Sequence, residues 1–255
     1  MTKNFGALAI AAALVLPAGA PAAAAPAATY PSIAAVKAAK KYAAERKGNV
    51  SFAVRGTDGR VRGLHTEQSF RSASLVKAML LIADLNRKNR SGLSGADRGR
   101  LGPMIRRSSN RKASATFRLV GASGVQRVAR LAGMTRFRIT CCSWTSAKVT
   151  AADQARLFAR IDCLAPERHR EYAPGLLGGI VSGQRWGIRR AAVRRGWSVF
   201  FKSGWTRAVE HQAALLEKGG TRISVAVLTR GNPSASYGRR TQQGIARKLL
   251  QTPPP

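Results

Sequence analysis

Apolar positions recur along the chain with two different periods, and the period changes at identifiable places. From Ser32 to Arg46, Ile33, Val36, Ala39 and Tyr42/Ala43 stand at helical spacing with lysines between them. Ser32 after Pro31 suits an N-cap, and Gly48 suits a stop. Val50 to Arg55 alternates as a strand does. Gly56-Thr57-Asp58-Gly59 is a turn signal, and Val61 to His65 reads as the returning strand. From Ser74 to about Arg195 the period is helical and no convincing strand appears. Helices are predicted from Ser74 to about Asn89, Arg100 to Arg107, Ala113 to Val120 and Ser123 to Leu131, with Gly121 and Gly133 as breaks. Phe137 to Lys148 is irregular, polar and cysteine-bearing, and reads as a loop. Thr150 opens a further helix through Arg160, with Asp153 at the capping-box position. Ser182 to Gly187 reads either as a loop bordering a cleft or as a buried turn. Period two returns at Trp197 to Phe201, then at Glu210 to Glu217 and Thr221 to Thr229, joined through Lys218-Gly219-Gly220. Tyr237 to Gln251 is a closing amphipathic helix.

The resulting order is α-β-β, a helical middle, then β-β-β-α. It predicts an α/β (α+β) fold: an antiparallel sheet of about five strands, flanked by the N- and C-terminal helices, with an inserted all-α lobe. Residues 32–66 and 197–251 form the α/β lobe and residues 67–196 the all-α lobe; 252–255 is expected to be a disordered tail. A cleft between the lobes is the expected site.

The ends and the charge refine this. Lys3, the 12-residue apolar run Phe5 to Leu16 and the small residues up to Ala25 have the order of a secretory signal peptide. Residues 1–25 are therefore read as that signal and 26–31 as a flexible leader, so a secreted, extracytoplasmic protein is expected. The run is too short for an ordinary membrane span, and no later run reaches that length. Net charge is +33, from 44 Lys+Arg against 11 Asp+Glu; loss of Lys3 would leave +32. Such a field attracts polyanions. The basic residues are spread along the chain without interleaved aromatics, which argues against nucleic acid and, for an exported protein, toward anionic cell-wall polymers. Cys141, Cys142 and Cys163 permit one bridge from the adjacent pair to Cys163, leaving one thiol over. His65, His169 and His211 are scattered, so no metal and no cofactor is expected.

Candidate chemistry gathers at three points. In Ser74-Leu75-Val76-Lys77 a polar run meets an apolar one, and the hydroxyl and amine fall on one helix face as a possible nucleophile and base. Ser108-Ser109-Asn110 follows the Met104-Ile105 helix, and Lys202-Ser203-Gly204 ends a strand. Singly, these read as a helix cap, an exposed lysine and a turn. In this order and on these elements the trio resembles the penicillin-recognising serine hydrolases, the class A β-lactamases and the D,D-peptidases called penicillin-binding proteins.

That resemblance implies an acyl-enzyme on Ser74, with Lys77 as base, Ser108 passing a proton to the leaving nitrogen and Asn110 holding a substrate amide. It implies Lys202 and the Ser203 hydroxyl near a substrate carboxylate, and an oxyanion hole from the backbone N–H groups of Ser74 and Trp205. The substrates implied are a β-lactam or a D-Ala-type cell-wall peptide, and the alternatives are an acylatable sensor without turnover or a general esterase or amidase. Two departures stand out. Only 34 positions separate Ser74 from Ser108, and no Asp or Glu occurs between Asp97 and Asp153. The segment from Met134 to Lys148, where class A enzymes carry the glutamate that activates the deacylating water, therefore has no carboxylate. Asp153 reads as a helix-start residue. Efficient β-lactamase turnover is not expected.

Overall fold

The computed structural model describes residues 1–2, 29–207 and 209–254. The stretch read as a signal peptide lies, Met1 and Thr2 apart, outside the described residues.

Ser32 caps α1 (Ile33–Ala44), its side chain accepting from the Ala35 N–H. The chain then forms β1 (Asn49–Arg55) and β2 (Val61–Leu64). After the helical lobe come β5 (Ser198–Thr206), β6 (Val209–Lys218), β7 (Thr221–Arg230) and α8 (Ala235–Leu249). One antiparallel five-stranded sheet results, in the order β2-β1-β7-β6-β5. The first two strands and the last three thus share a sheet, as the order of periods requires.

The helical lobe is built around α2 (Val76–Arg87), in which every residue from Val76 to Leu85 is buried. A helix apolar on all sides belongs inside a core, and α2 packs against α3 (Gly95–Arg106) and α4 (Asn110–Leu131). Two of its buried residues are charged. Asp84 is neutralised by Arg87 and Arg100, and Arg100 also pairs with Asp97 at 3.0 Å, tying α2 to α3. The remaining helices are α5 (Ala151–Ala159), α6 (Tyr172–Gly178) and α7 (Gly187–Val193).

Several expectations change. A two-stranded ribbon pairs β3 (Phe70–Arg71) with β4 (Lys148–Val149), the second of them inside the span expected to hold no strand; two residues are too few to show alternation. α3 begins at Gly95 rather than Arg100, because Ser94 and Asp97 form a complete capping box ahead of the apolar residues. The break predicted at Gly121 is present: α4 kinks there, with a φ of 62° that an L-residue rarely adopts. At α5, Thr150 accepts from the Asp153 N–H, but the Asp153 carboxylate does not return the bond. It accepts instead from the Thr135 and Arg136 N–H groups, both at 2.9 Å, and so fastens the start of the loop between α4 and α5. All three cysteines are free, so no bridge joins the adjacent pair to Cys163. At the C-terminal end, the Tyr30 hydroxyl donates to the Thr252 carbonyl at 3.0 Å.

Candidate active site

The register of β5 with β6 sorts the third motif. Lys202 pairs with Ala213, Ser203 with Gln212, Gly204 with His211 and Trp205 with Glu210. Paired residues share a face. Ser203 and Gln212 therefore point together, and the Gln212 amide donates to the Ser203 hydroxyl at 3.0 Å. Lys202 points the other way, toward the helical lobe, and its ammonium reaches the Ser108 hydroxyl at 3.1 Å and the Ser203 carbonyl at 2.7 Å.

Gly204 explains how β5 comes so near the first motif. A Cβ there would stand 2.8 Å from the Ser74 nitrogen and 3.0 Å from the Ser72 carbonyl oxygen, both backbone atoms. Only glycine permits this approach. It brings the strand edge against the helical turn Ala73–Leu75 that presents Ser74, beside the residue whose N–H is the second oxyanion donor of the expected mechanism, Trp205.

The first two motifs meet through Lys77. Its Nζ donates to the Ser108 carbonyl at 2.5 Å, to the Ser108 hydroxyl at 3.3 Å and to the Asn110 side-chain oxygen at 2.6 Å. The Ser108 hydroxyl thus lies between two amines from different lobes. Two site residues hold strained backbones: Ala73, just before Ser74, has φ 46°, and Ser108 has φ 58°. Neither is glycine, and such conformations persist only where surroundings impose them.

Both lysines are fully buried, and among the described residues neither has a carboxylate partner. Burial lowers the pKa of Lys77 to about 8. Lys202 is pushed well below the ordinary lysine value, first by burial and then by the charge of Lys77. The pair is therefore poised to lose a proton near neutral pH.

The loop after α4 contributes Trp144 to the cleft. Its ring centroid is 5.0 Å from Lys77 Nζ, and its indole N–H donates to Ser114 at 3.1 Å. A cavity of about 330 Å³ opens between the lobes, lined by Ser74, Asn110, Trp144, Thr145, Trp205 and Arg71, with Ala73, Thr206 and Val209 completing the wall. A larger open groove of about 660 Å³ beside the end of α1 is lined by none of the three motifs.

The structure therefore gathers Ser74, Lys77, Ser108, Asn110, Lys202, Gly204 and Trp205 at one cleft. Ser203 is fully buried, and its hydroxyl accepts from the Gln212 amide at 3.0 Å. Glu210 and His211 are buried as well, and Glu210 pairs with Arg239 at 3.4 Å. Of the Ser182–Gly187 segment, Trp186 packs edge-on against Trp205 at 6.4 Å. Trp144 and Arg71 were missed. Both sit where no periodicity or motif marks them, though an aromatic in an otherwise polar loop was the visible hint.

Known proteins can be set beside this geometry. The model of the Beta-lactamase enzyme family matches residues 101–252. No curated protein matches the chain. Among solved structures, the β-lactamase from Sphaerobacter thermophilus superposes with a TM-score of 0.74 at 18% identity, covering 86% of this chain and 96% of that one. PBP-A gives 0.73 at 16% identity, covering 85% and 94%. L2, solved with relebactam, gives 0.73 at 21% identity, covering 86% and 97%. At these identities the likeness is one of fold, and it extends over both lobes. The family match itself takes in more than half of the sequence, including Ser108, Asn110 and Lys202, and the chain belongs to the beta-lactamase enzyme family.

Proposed function

We propose that this chain is an exported serine hydrolase that forms an acyl-enzyme on Ser74 with a β-lactam or a D-Ala-type cell-wall peptide, and that it releases the acyl group slowly. The observation that carries this reading is the Ser108 hydroxyl held between Lys77 and Lys202, with Ser74 on the wall of the adjoining cleft and, among the described residues, no carboxylate paired with either amine. Lys77 in its neutral form accepts the Ser74 proton as the oxygen attacks the carbonyl. The oxyanion that develops lies against the N–H groups of Ser74 and Trp205, which Gly204 allows to converge. Ser108 relays the proton to the leaving nitrogen. Lys202, reinforced by the cleft-lining Arg71, supplies the positive field for a substrate carboxylate. The basic surface favours residence among anionic wall polymers.

Release needs an activated water. Trp144, not an acid, occupies the neighbourhood of Lys77, which supports a persistent adduct over rapid turnover. The test is to incubate the purified protein with a chromogenic penicillin and follow intact mass and absorbance together. A lasting adduct that disappears in Ser74→Ala is the expected result. Rapid colour change without an accumulating adduct would make the protein an efficient β-lactamase, and no adduct at all would overturn chemistry at Ser74.

A further inference from the structure

Outside the cleft, one pair of nucleophilic side chains is brought together. Cys141 and Cys142 are adjacent, both exposed, and their sulfurs stand 3.0 Å apart. Their loop is held by its own hydrogen bonds. The Thr140 N–H donates to the Ser146 hydroxyl at 3.0 Å, that hydroxyl donates to the Ser143 carbonyl at 2.7 Å, and the Ser143 and Thr145 hydroxyls are 2.7 Å apart. The sulfurs therefore face each other from a fixed frame. Arg136, Arg138 and Lys148 flank the loop in a strongly cationic chain. Cys163, the third thiol, lies in the turn after α5, bonded to neither.

We propose that Cys141 and Cys142 form a dithiol modification site that small-molecule disulfides oxidise to a vicinal disulfide. The Cys141 thiolate attacks one sulfur of the external disulfide, forming a mixed disulfide and expelling one thiolate. Cys142 then attacks the Cys141 sulfur, its proton passing to the second thiolate as that leaves. Protein dithiol is oxidised, and one external disulfide is reduced to two thiols. The sulfur contact divides the roles. Cys142 keeps its proton more firmly than an ordinary thiol, chiefly because it hydrogen-bonds to Cys141, and so serves as the resolving partner.

Geometry also sets reversibility. Neighbouring Cα atoms are held about 3.8 Å apart by a trans peptide, closer than the roughly 4.4–6.8 Å of ordinary disulfides. The closed ring is strained, and strained disulfides are readily reduced. The site is thus a reversible mark and not a structural clamp. It lies two residues before Trp144, on the segment that walls the cleft.

The test treats the reduced full-length protein with oxidised glutathione and reads intact mass and peptide map. Expected is the loss of two hydrogens within the peptide carrying Cys141 and Cys142, with Cys163 still alkylatable, reversed by a mild thiol. In Cys142→Ser the product should stop at a glutathione adduct on Cys141. Phenylarsine oxide, which bridges paired thiols, should bind the reduced protein and not the oxidised one. A bridge to Cys163, a wild-type protein that keeps its glutathione adducts, or no arsenical binding would each overturn the proposal. These readouts need no acylation, so they stand apart from the reading of Ser74.

Discussion

At the scale of single residues, the site depends on where protons sit. Lys77 has its pKa lowered by burial to about 8, so its neutral fraction grows as pH rises through that value. The rate of adduct formation should climb with it, giving an ascending limb centred near pH 8 in single-turnover kinetics; a flat profile would remove Lys77 from the role of base. Among the described residues, Ser108 is the only hydroxyl shared by both lysines. Ser108→Ala should slow acylation by roughly 10²–10⁴-fold, the usual worth of a positioned proton-transfer group, while the fold survives. Trp144→Ala should act on the later step. Opening space beside Lys77 admits water, and the adduct should decay faster in time-resolved mass spectra with acylation little changed. These residues were unequally legible. Ser74, Lys77, Ser108 and Lys202 stand at recognisable spacings. Trp144 lies in a loop with no periodicity, and the turning of Ser203 toward Gln212 is visible only once the register of β5 and β6 is known.

At the scale of elements, the decisive contact is between β5 and the turn carrying Ser74. Gly204→Ala sets a Cβ 2.8 Å from a backbone nitrogen that cannot swing aside. The strand must retreat, and acylation should fall by about 10²-fold from misplaced oxyanion donors, as stopped-flow measurement with a penicillin would show. β6 makes a second link. The His211 ring accepts from the Thr229 N–H at Nδ1 and donates from Nε2 to the Arg71 carbonyl, each at 3.1 Å, so the neutral tautomer joins β7, β6 and the segment leading to Ser74. Burial lowers its pKa from 6.5 to about 4. The unfolded chain then binds the proton more readily than the folded one, and stability falls as pH drops from 6.5 to 4. The loss amounts to about 3 kcal/mol by the usual conversion. Melting curves across that range should flatten in His211→Gln relative to the parent. Sequence periodicity exposed the long strands and helices well. It missed the β3–β4 ribbon, where two residues in each strand leave no pattern to read, and it placed the start of α3 late because that first turn is polar.

At the scale of the whole molecule, the order of strand and helix periods already implied two lobes closing one cleft, since segments far apart in sequence had to share a sheet. The three motifs then fell on the facing edges of those lobes. The expected bridge to Cys163 depended on distances between loops, which a linear sequence does not carry. The two buried lysines have a further consequence at this scale. A cleft that holds two amines without a counter-carboxylate binds its protons less firmly than free lysines do. An arriving carboxylate supplies the missing negative charge and raises the proton affinity of Lys202, so binding should be coupled to proton uptake. In Ser74→Ala, where binding is separated from acylation, calorimetry with a penicillin should give heats that depend on the ionisation enthalpy of the buffer. The coupling should fade as the pH is lowered and the site fills with protons unaided. Identical heats in every buffer near neutrality would mean that both amines are already charged before substrate arrives. Buffer-dependent heats would make substrate capture an acid–base event in itself, completed before any covalent bond is made.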